Sequence, residues 1–218
     1  MPEAVWGLAD LAHNTVVIVG VGREGQAITE VLQAGDSPPH MVAIDGVEGD
    51  HAARFRARWG DTVPLVILEG EESPIPPSVA RATVAVVSPG VAPTNWLHRW
   101  VSALGIPLTT SSALFVADHH QSMVGITGSK GKSTVTTLIH QLLEASGEKA
   151  SLGGNMGIPL QGLEPQDRQV VELSSYQCHY LQVSPDVVVL SALFPEHLDW
   201  HGDTEAYFAA KLSLVSYQ

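Results

Sequence analysis

The sequence is poor in cysteine, in cationic side chains and in long apolar runs, and each shortage excludes something. A single cysteine in 218 residues, Cys178, permits no internal disulfide. The fold must then rest on its core, and a reducing, cytoplasmic setting is expected. There are only four lysines, Lys130, Lys132, Lys149 and Lys211, and 11 Lys and Arg face 23 Asp and Glu for a formal net charge of −12. Binders of nucleic acid or of anionic membrane draw affinity from neutralising phosphates, so neither partner is expected. A few basic residues focused on one small phosphate ligand remain compatible with this balance. No apolar run approaches the roughly 18–20 residues of a membrane-spanning helix. The start, Met1-Pro2-Glu3-Ala4, has neither the basic segment nor the apolar stretch of a secretory leader, and none is expected.

What is present is globular. The length fits one or two domains, and 44% hydrophobic against 16% charged residues is too apolar for disorder. Strand-like and helix-like stretches alternate. Thr15–Val19 is a short β-branched run of the kind seen in strands buried on both faces, and Met41–Ile44, Leu65–Leu68 and Val84–Val87 read the same way. Ile28, Val31 and Leu32 follow at helical spacing, with Gly35 as a stop. Leu97, Trp100, Val101 and Leu104 form an i, i+3, i+4, i+7 stripe that Thr94 or Asn95 would cap and Gly105 with Pro107 would end. Glu69 to Ser78, rich in acids and prolines, reads as a surface loop. A second unit begins near His119-His120-Gln121-Ser122, so the expected domains are 1–118 and 119–218. In it, Met123–Ile126 reads as a strand, then a Gly-rich turn, then a helix with Val135, Leu138, Ile139, Leu142 and Leu143 on one face and Gly147 past its end. Gln169–Leu173 and Val187–Leu190 read as two more buried strands. The alternation implies an α/β fold on parallel sheets.

Two turns carry chemistry. Gly20-Val-Gly22-Arg-Glu-Gly25 follows a strand and opens a helix, and Asp45 ends the next strand 20 residues past Gly25. Such glycines admit a phosphate to a helix N-terminus, and such an acid holds ribose hydroxyls. Similar turns also occur in doubly wound sheets that bind no nucleotide, so a nicotinamide cofactor is one reading among several. Gly128-Ser129-Lys130-Gly131-Lys132-Ser133 is sharper. Its backbone N–H groups would cradle phosphates, Lys132 would reach the β- and γ-phosphates, and the Ser133 hydroxyl would bind Mg²⁺. The full pattern wants glycine six residues before Lys132 and Ile126 stands there, so the loop is compressed. Two such turns argue for two ligands: ATP, and a second nucleotide or nucleotide-linked substrate.

Glu172 ends a strand, where an open parallel sheet presents its ligand groups, although a solvated acid is the plainer reading. His197 and His201 stand four apart beside Glu196 and Asp199, but their order is not His-Glu-x-x-His and Pro195 precedes them, which argues against a zinc helix. His119, His120 and His179 read as solvated, and Cys178 as inert packing. Lys211, on the short apolar stretch Tyr207–Lys211, reads by itself as a surface lysine.

Together these segments resemble the Mur ligase family. The likeness is carried by Gly125-Ile-Thr-Gly-Ser-Lys-Gly-Lys-Ser-Thr-Val-Thr-Thr137, Gly153-Gly-Asn-Met-Gly157, Glu172-Leu-Ser-Ser-Tyr-Gln177, Glu196-His-Leu-Asp199 and Ala209-Ala-Lys211, with Ser88-Pro-Gly-Val91 similar to a nucleotide-sugar contact loop. They come in family order along about the whole chain, and Glu172–Gln177 points within the family to the member that adds D-glutamate. The resemblance implies a Rossmann-like parallel-sheet domain followed by part of a phosphate-loop Mur ligase central domain. It implies a cytoplasmic, monomeric amide ligase of peptidoglycan precursor synthesis that uses ATP and Mg²⁺. ATP would phosphorylate the carboxylate of UDP-N-acetylmuramoyl-L-alanine, and the amine of D-glutamate would displace the phosphate. By the same resemblance Gly128, Ser129, Lys130, Gly131, Lys132, Ser133 and Thr134 would bind ATP, with Lys132 stabilising the transferring phosphoryl group. Ser133 and Glu172 would hold one Mg²⁺, and His197 a second, together with Lys211 as its carbamate. Asn155 and Ser174 would touch the muramoyl-alanine part, and Gly20, Gly22, Gly25, Asp45, Ser88 and Gly90 the UDP part.

Four features depart from the family pattern. Lys130 stands for Asn, Ala192 for the Asn five residues before the histidine, Glu196 for the Asp just before it, and Arg23-Glu24 charge the first Gly-rich turn. The family has three domains, of which this chain covers the first and about half of the second, so the chain is expected to bind ligands without ligating them. Other readings are another member of the family, a non-catalytic nucleotide-sugar-binding module and an NAD-dependent dehydrogenase. The phosphate loop speaks against the last, since hydride transfer makes no use of one.

Overall fold

The structure, a computed structural model, describes residues 5–156, 158–164 and 166–218. The N-terminal Met1-Pro2-Glu3-Ala4 and the motif residue Gly157 lie outside the described residues. The chain divides into two units, Met1–Ser111 and Ser112–Gln218. That break falls earlier than the one expected after residue 118. The cause is the helix Ser111–His119, whose Phe115 and Val116 join Met123, Val171 and Leu173 in a core of the second unit.

The first unit runs β1 (Thr15–Val19), α1 (Arg23–Ala34), β2 (His40–Asp45), α2 (Asp50–Trp59), β3 (Leu65–Ile67), β4 (Val84–Val87), α3 (Trp96–Ser102) and β5 (Leu108–Thr109). Its sheet has the order β3-β2-β1-β4-β5, and every pairing is parallel. The β-branched run of β1 lies at the centre, with Val16 to Val19 fully buried. Each such side chain contributes about 1.5–3 kcal/mol relative to exposure. The strand order reverses between β1 and β4, where an open parallel sheet leaves a crevice beyond its strand ends. Asn95 is the cap of α3, its Oδ1 accepting from Leu97 N at 2.8 Å. The loop from Glu69 is held by Trp100, whose Nε1 donates to the Ser73 carbonyl at 2.9 Å. Helix α2 escaped the sequence reading. It buries Ala52, Phe55 and Trp59 but turns Arg54, Arg56 and Arg58 to solvent between them, which dilutes its apolar stripe.

The second unit runs α4 (Ser111–His119), β6 (Met123–Thr127), α5 (Lys132–Ser146), β7 (Ala150–Gly154), β8 (Arg168–Glu172), α6 (Ser175–Cys178), β9 (Val187–Leu190), α7 (Leu198–His201) and α8 (Thr204–Leu212). The sheet order is β7-β8-β6-β9, again all parallel. Two expectations are corrected here. β9 is not a buried strand: it pairs with β6 alone among the described strands, leaving Val187 and Leu190 48% and 40% exposed. The apolar face expected on α5 splits, because the sheet covers only part of it. Val135, Ile139 and Leu143 pack against Ile126 and Val170, whereas Leu138 and Leu142 are exposed. No helix of the described residues is long and apolar enough to cross a membrane.

Candidate functional site

In the first unit the Gly-rich turn between β1 and α1 is braced from two sides. Ser88 Oγ, just past β4, donates to the Gly20 carbonyl at 2.7 Å. Asp45, ending β2, accepts from Val21 N through Oδ2 at 2.8 Å and from Val47 N through Oδ1 at 3.1 Å. Gly20 has φ +82°, which favours glycine, and a Cβ on Gly25 would collide with the Gly20 carbonyl oxygen. Gly20, Gly22, Asp45, Ser88 and Gly90 all line one cavity of about 350 Å³. Gly25 lies under the turn instead, letting α1 approach it. The start of α2 supplies the far wall, with Asp50 and His51. Sequence reading missed that wall along with the helix.

In the second unit the phosphate loop joins β6 to α5. Gly128 and Gly131 take φ values of +146° and +84°, and a Cβ on Gly128 would collide with Ser191 Oγ. Lys132 Nζ donates to the Ser129 carbonyl at 3.1 Å. Ser133 Oγ donates to Glu172 Oε2 at 2.7 Å, and Asn155 Nδ2 donates to Glu172 Oε1 at 3.2 Å. Glu172 is 2% exposed, so the solvated-acid reading fails. A hydroxyl and a carboxylate converging where the phosphate loop enters α5 form an oxygen donor pair of the sort a hard cation takes, and Ser133 and Glu172 fit Mg²⁺. Ser174 acts on its own helix. It caps α6 in a capping box with Gln177, its Oγ accepting from Gln177 N at 3.2 Å.

Lys211 is no surface lysine. It is 2% exposed, and its Nζ donates to the Gly128 carbonyl at 2.7 Å, so α8 reaches the phosphate loop from below. Burial pushes its ammonium down to about 8. As an ammonium it repels a cation and is no metal ligand; only its neutral amine can take up CO₂. His197 stands ahead of α7 with its ring against Tyr176, centroids 5.2 Å apart, and with φ 55°, the one left-handed non-glycine residue among those described. His201, weighed with it as a zinc pair, gives its Nε2 to a 2.9 Å hydrogen bond with Ser175 Oγ. Burial, then the neighbouring His179, holds His201 down to about 4. Cys178 is fully buried, and that burial raises its thiol to about 11, which keeps it inert.

The departures at Lys130, Ala192 and Glu196 meet in space. Lys130 Nζ pairs with Glu196 Oε1 at 2.8 Å, and Lys130 forms an isolated antiparallel bridge with Ala192. The pair holds the Glu196 carboxyl below the usual carboxylate range and raises Lys130.

These features define a class: two parallel α/β units, the first with a glycine-rich crevice at its strand-order reversal, the second with a phosphate loop whose serine meets a buried glutamate. Residues 126–218 match the Mur ligase middle domain. The second unit belongs to the Mur ligase family, and the chain as a whole matches the N-terminal part of its relatives. It is 44% identical over 213 residues to a UDP-N-acetylmuramoyl-L-alanine–L-glutamate ligase of a Micromonospora species, covering 96% of this chain and 45% of that protein. It is 34% identical to a UDP-N-acetylmuramoylalanine–D-glutamate ligase of Chlorobaculum parvum, covering 100% of this chain and 46% of that one. The chain thus spans about half the length of these relatives. The fold is similar, at a TM-score of 0.52 and 18% identity, to that of a UDP-N-acetylmuramate:L-alanyl-gamma-D-glutamyl-meso-diaminopimelate ligase from Neisseria meningitides, over 93% of this chain and 68% of that one.

Proposed function

We propose that this chain is the nucleotide-binding part of an ATP-dependent ligase that joins glutamate to UDP-N-acetylmuramoyl-L-alanine in peptidoglycan precursor synthesis. The observation that carries the reading is the Ser133–Glu172 contact where the phosphate loop enters α5, inside the matched middle domain. The backbone N–H groups of residues 128–134 surround the phosphates of ATP, and Lys132 follows the charge that develops on the transferring phosphoryl group. Ser133 and Glu172 hold Mg²⁺, which neutralises phosphate charge when bound. The substrate carboxylate attacks the γ-phosphorus and ADP leaves. The glutamate amine then attacks the acyl carbon, phosphate leaves, and the amine gives up a proton. Asn155 and Ser174 face the muramoyl-alanine part, and Gly20, Gly22, Asp45, Ser88 and Gly90 hold UDP, with Gly25 shaping their turn. Lys211, whose amine is held down to about 8, would release a proton on taking up CO₂ and, as a carbamate, would with His197 supply donors to a second Mg²⁺. The reaction runs in the cytoplasm and the enzyme acts as a monomer. The 218-residue chain alone binds without ligating.

The Glu172–Gln177 segment supports D-glutamate as the added amino acid. The higher identity to a relative named for L-glutamate favours L-glutamate instead, and we take that as the first reading. Calorimetric titration of the chain with UDP-N-acetylmuramoyl-L-alanine, Mg-ATP and NAD tests the ligand assignment. Saturable binding of the first two is expected, and a preference for NAD, or no binding of either, overturns it.

A further inference from the structure

The phosphate loop is laced to the segment 191–197. Ser129 N donates to the Ala192 carbonyl at 2.6 Å, Ser191 Oγ to the Lys130 carbonyl at 2.8 Å, and Phe194 N to Ser129 Oγ at 3.0 Å. Over this lacing lies the Lys130–Glu196 ion pair, with side chains 71% and 23% exposed. The next residue, His197, holds a left-handed backbone that costs energy for any side chain with a Cβ and persists only where its surroundings impose it.

We propose that Lys130 and Glu196 form a clasp with two effects: it closes the segment ending in His197 onto the phosphate loop, and it cancels a carboxylate that would otherwise repel the nucleotide. The second effect rests on the proposed function; the first does not. Both are positioning residues, and neither is replaceable alone. Loss of either partner opens the segment in the same direction. On nucleotide binding the two losses act oppositely, because Lys130→Met unmasks an anion beside the phosphates and Glu196→Gln frees a cation.

The test compares the wild-type chain with Lys130→Met, Glu196→Gln, the double variant of those two, and the charge-swapped Lys130→Glu/Glu196→Lys. Hydrogen exchange without nucleotide is expected to quicken about two- to fivefold over residues 191–197 in each single variant, the range of an exposed ion pair, and to slow again in the swapped one. Mg-ATP is expected to bind more weakly to Lys130→Met and more tightly to Glu196→Gln, with the double variant recovering most of the first loss. Unchanged exchange in both single variants overturns the clasp. Equal weakening of Mg-ATP binding by both, or a double variant as weak as Lys130→Met, overturns charge cancellation. A wild-type chain that binds no Mg-ATP overturns the proposed function and leaves the exchange comparison to decide the clasp.

Discussion

Ser133 Oγ lies 2.7 Å from Glu172 Oε2, a contact that joins the first turn of α5 to the end of β8. It exists because β6 and β8 pair in parallel with Ile126 opposite Glu172, so the loop leaving β6 and the acid ending β8 emerge at one level. If the two hold Mg²⁺, Glu172→Gln keeps the shape and removes the charge. ATP affinity should then lose most of its dependence on Mg²⁺, measured by titration with the cation and with a chelator. A variant as Mg²⁺-dependent as wild type would remove Glu172 from the site.

Lys132→Ala in the full-length protein should lower phosphate release by on the order of 10²–10³, the usual effect of deleting a preorganised charge from a transferring group. Steady-state kinetics checks it. Near-normal kcat would reduce the loop to a turn.

Gly25→Ala should disturb the first unit without touching a ligand directly. The added Cβ meets the Gly20 carbonyl oxygen, which Ser88 Oγ holds in place, so the turn cannot yield cheaply. A loss of about 1–3 kcal/mol is expected from overpacking, with UDP-sugar binding weakened in proportion. Urea unfolding and calorimetry on the same variant measure the two.

The pH dependence of stability carries a sign from His201. Its folded pKa, about 4, lies below the ordinary 6.5, so between these values the unfolded chain binds a proton that the folded chain does not. Stability should therefore fall as pH drops from 6.5 toward 4. His201→Gln, which keeps a partner for Ser175, should flatten that part of the thermal-unfolding profile. An equally steep profile would place the acid sensitivity elsewhere.

Most of the first sheet was legible because buried parallel strands are short β-branched runs: Thr15–Val19 is β1 residue for residue. The two glycine-rich turns were legible because glycine is required where backbone crosses backbone. Other features depend on what docks where, which spacing does not record. Lys211 read as a surface lysine because only the placement of α8 under the phosphate loop buries it. β9 read as buried because Val187–Leu190 is a short β-branched apolar run like that of β1, although nothing among the described residues covers its far edge. Lys130 and Glu196 looked like separate departures from a pattern, and only the fold brings their charges together.

The most direct test of the proposed ligase is phosphate release by the full-length protein from Mg-ATP with UDP-N-acetylmuramoyl-L-alanine, run with L-glutamate, with D-glutamate and with neither. Release should need both the nucleotide sugar and glutamate, should be fastest with L-glutamate, and should be absent from the 218-residue chain alone. Release indifferent to the nucleotide sugar, or none with either enantiomer, would contradict the proposal.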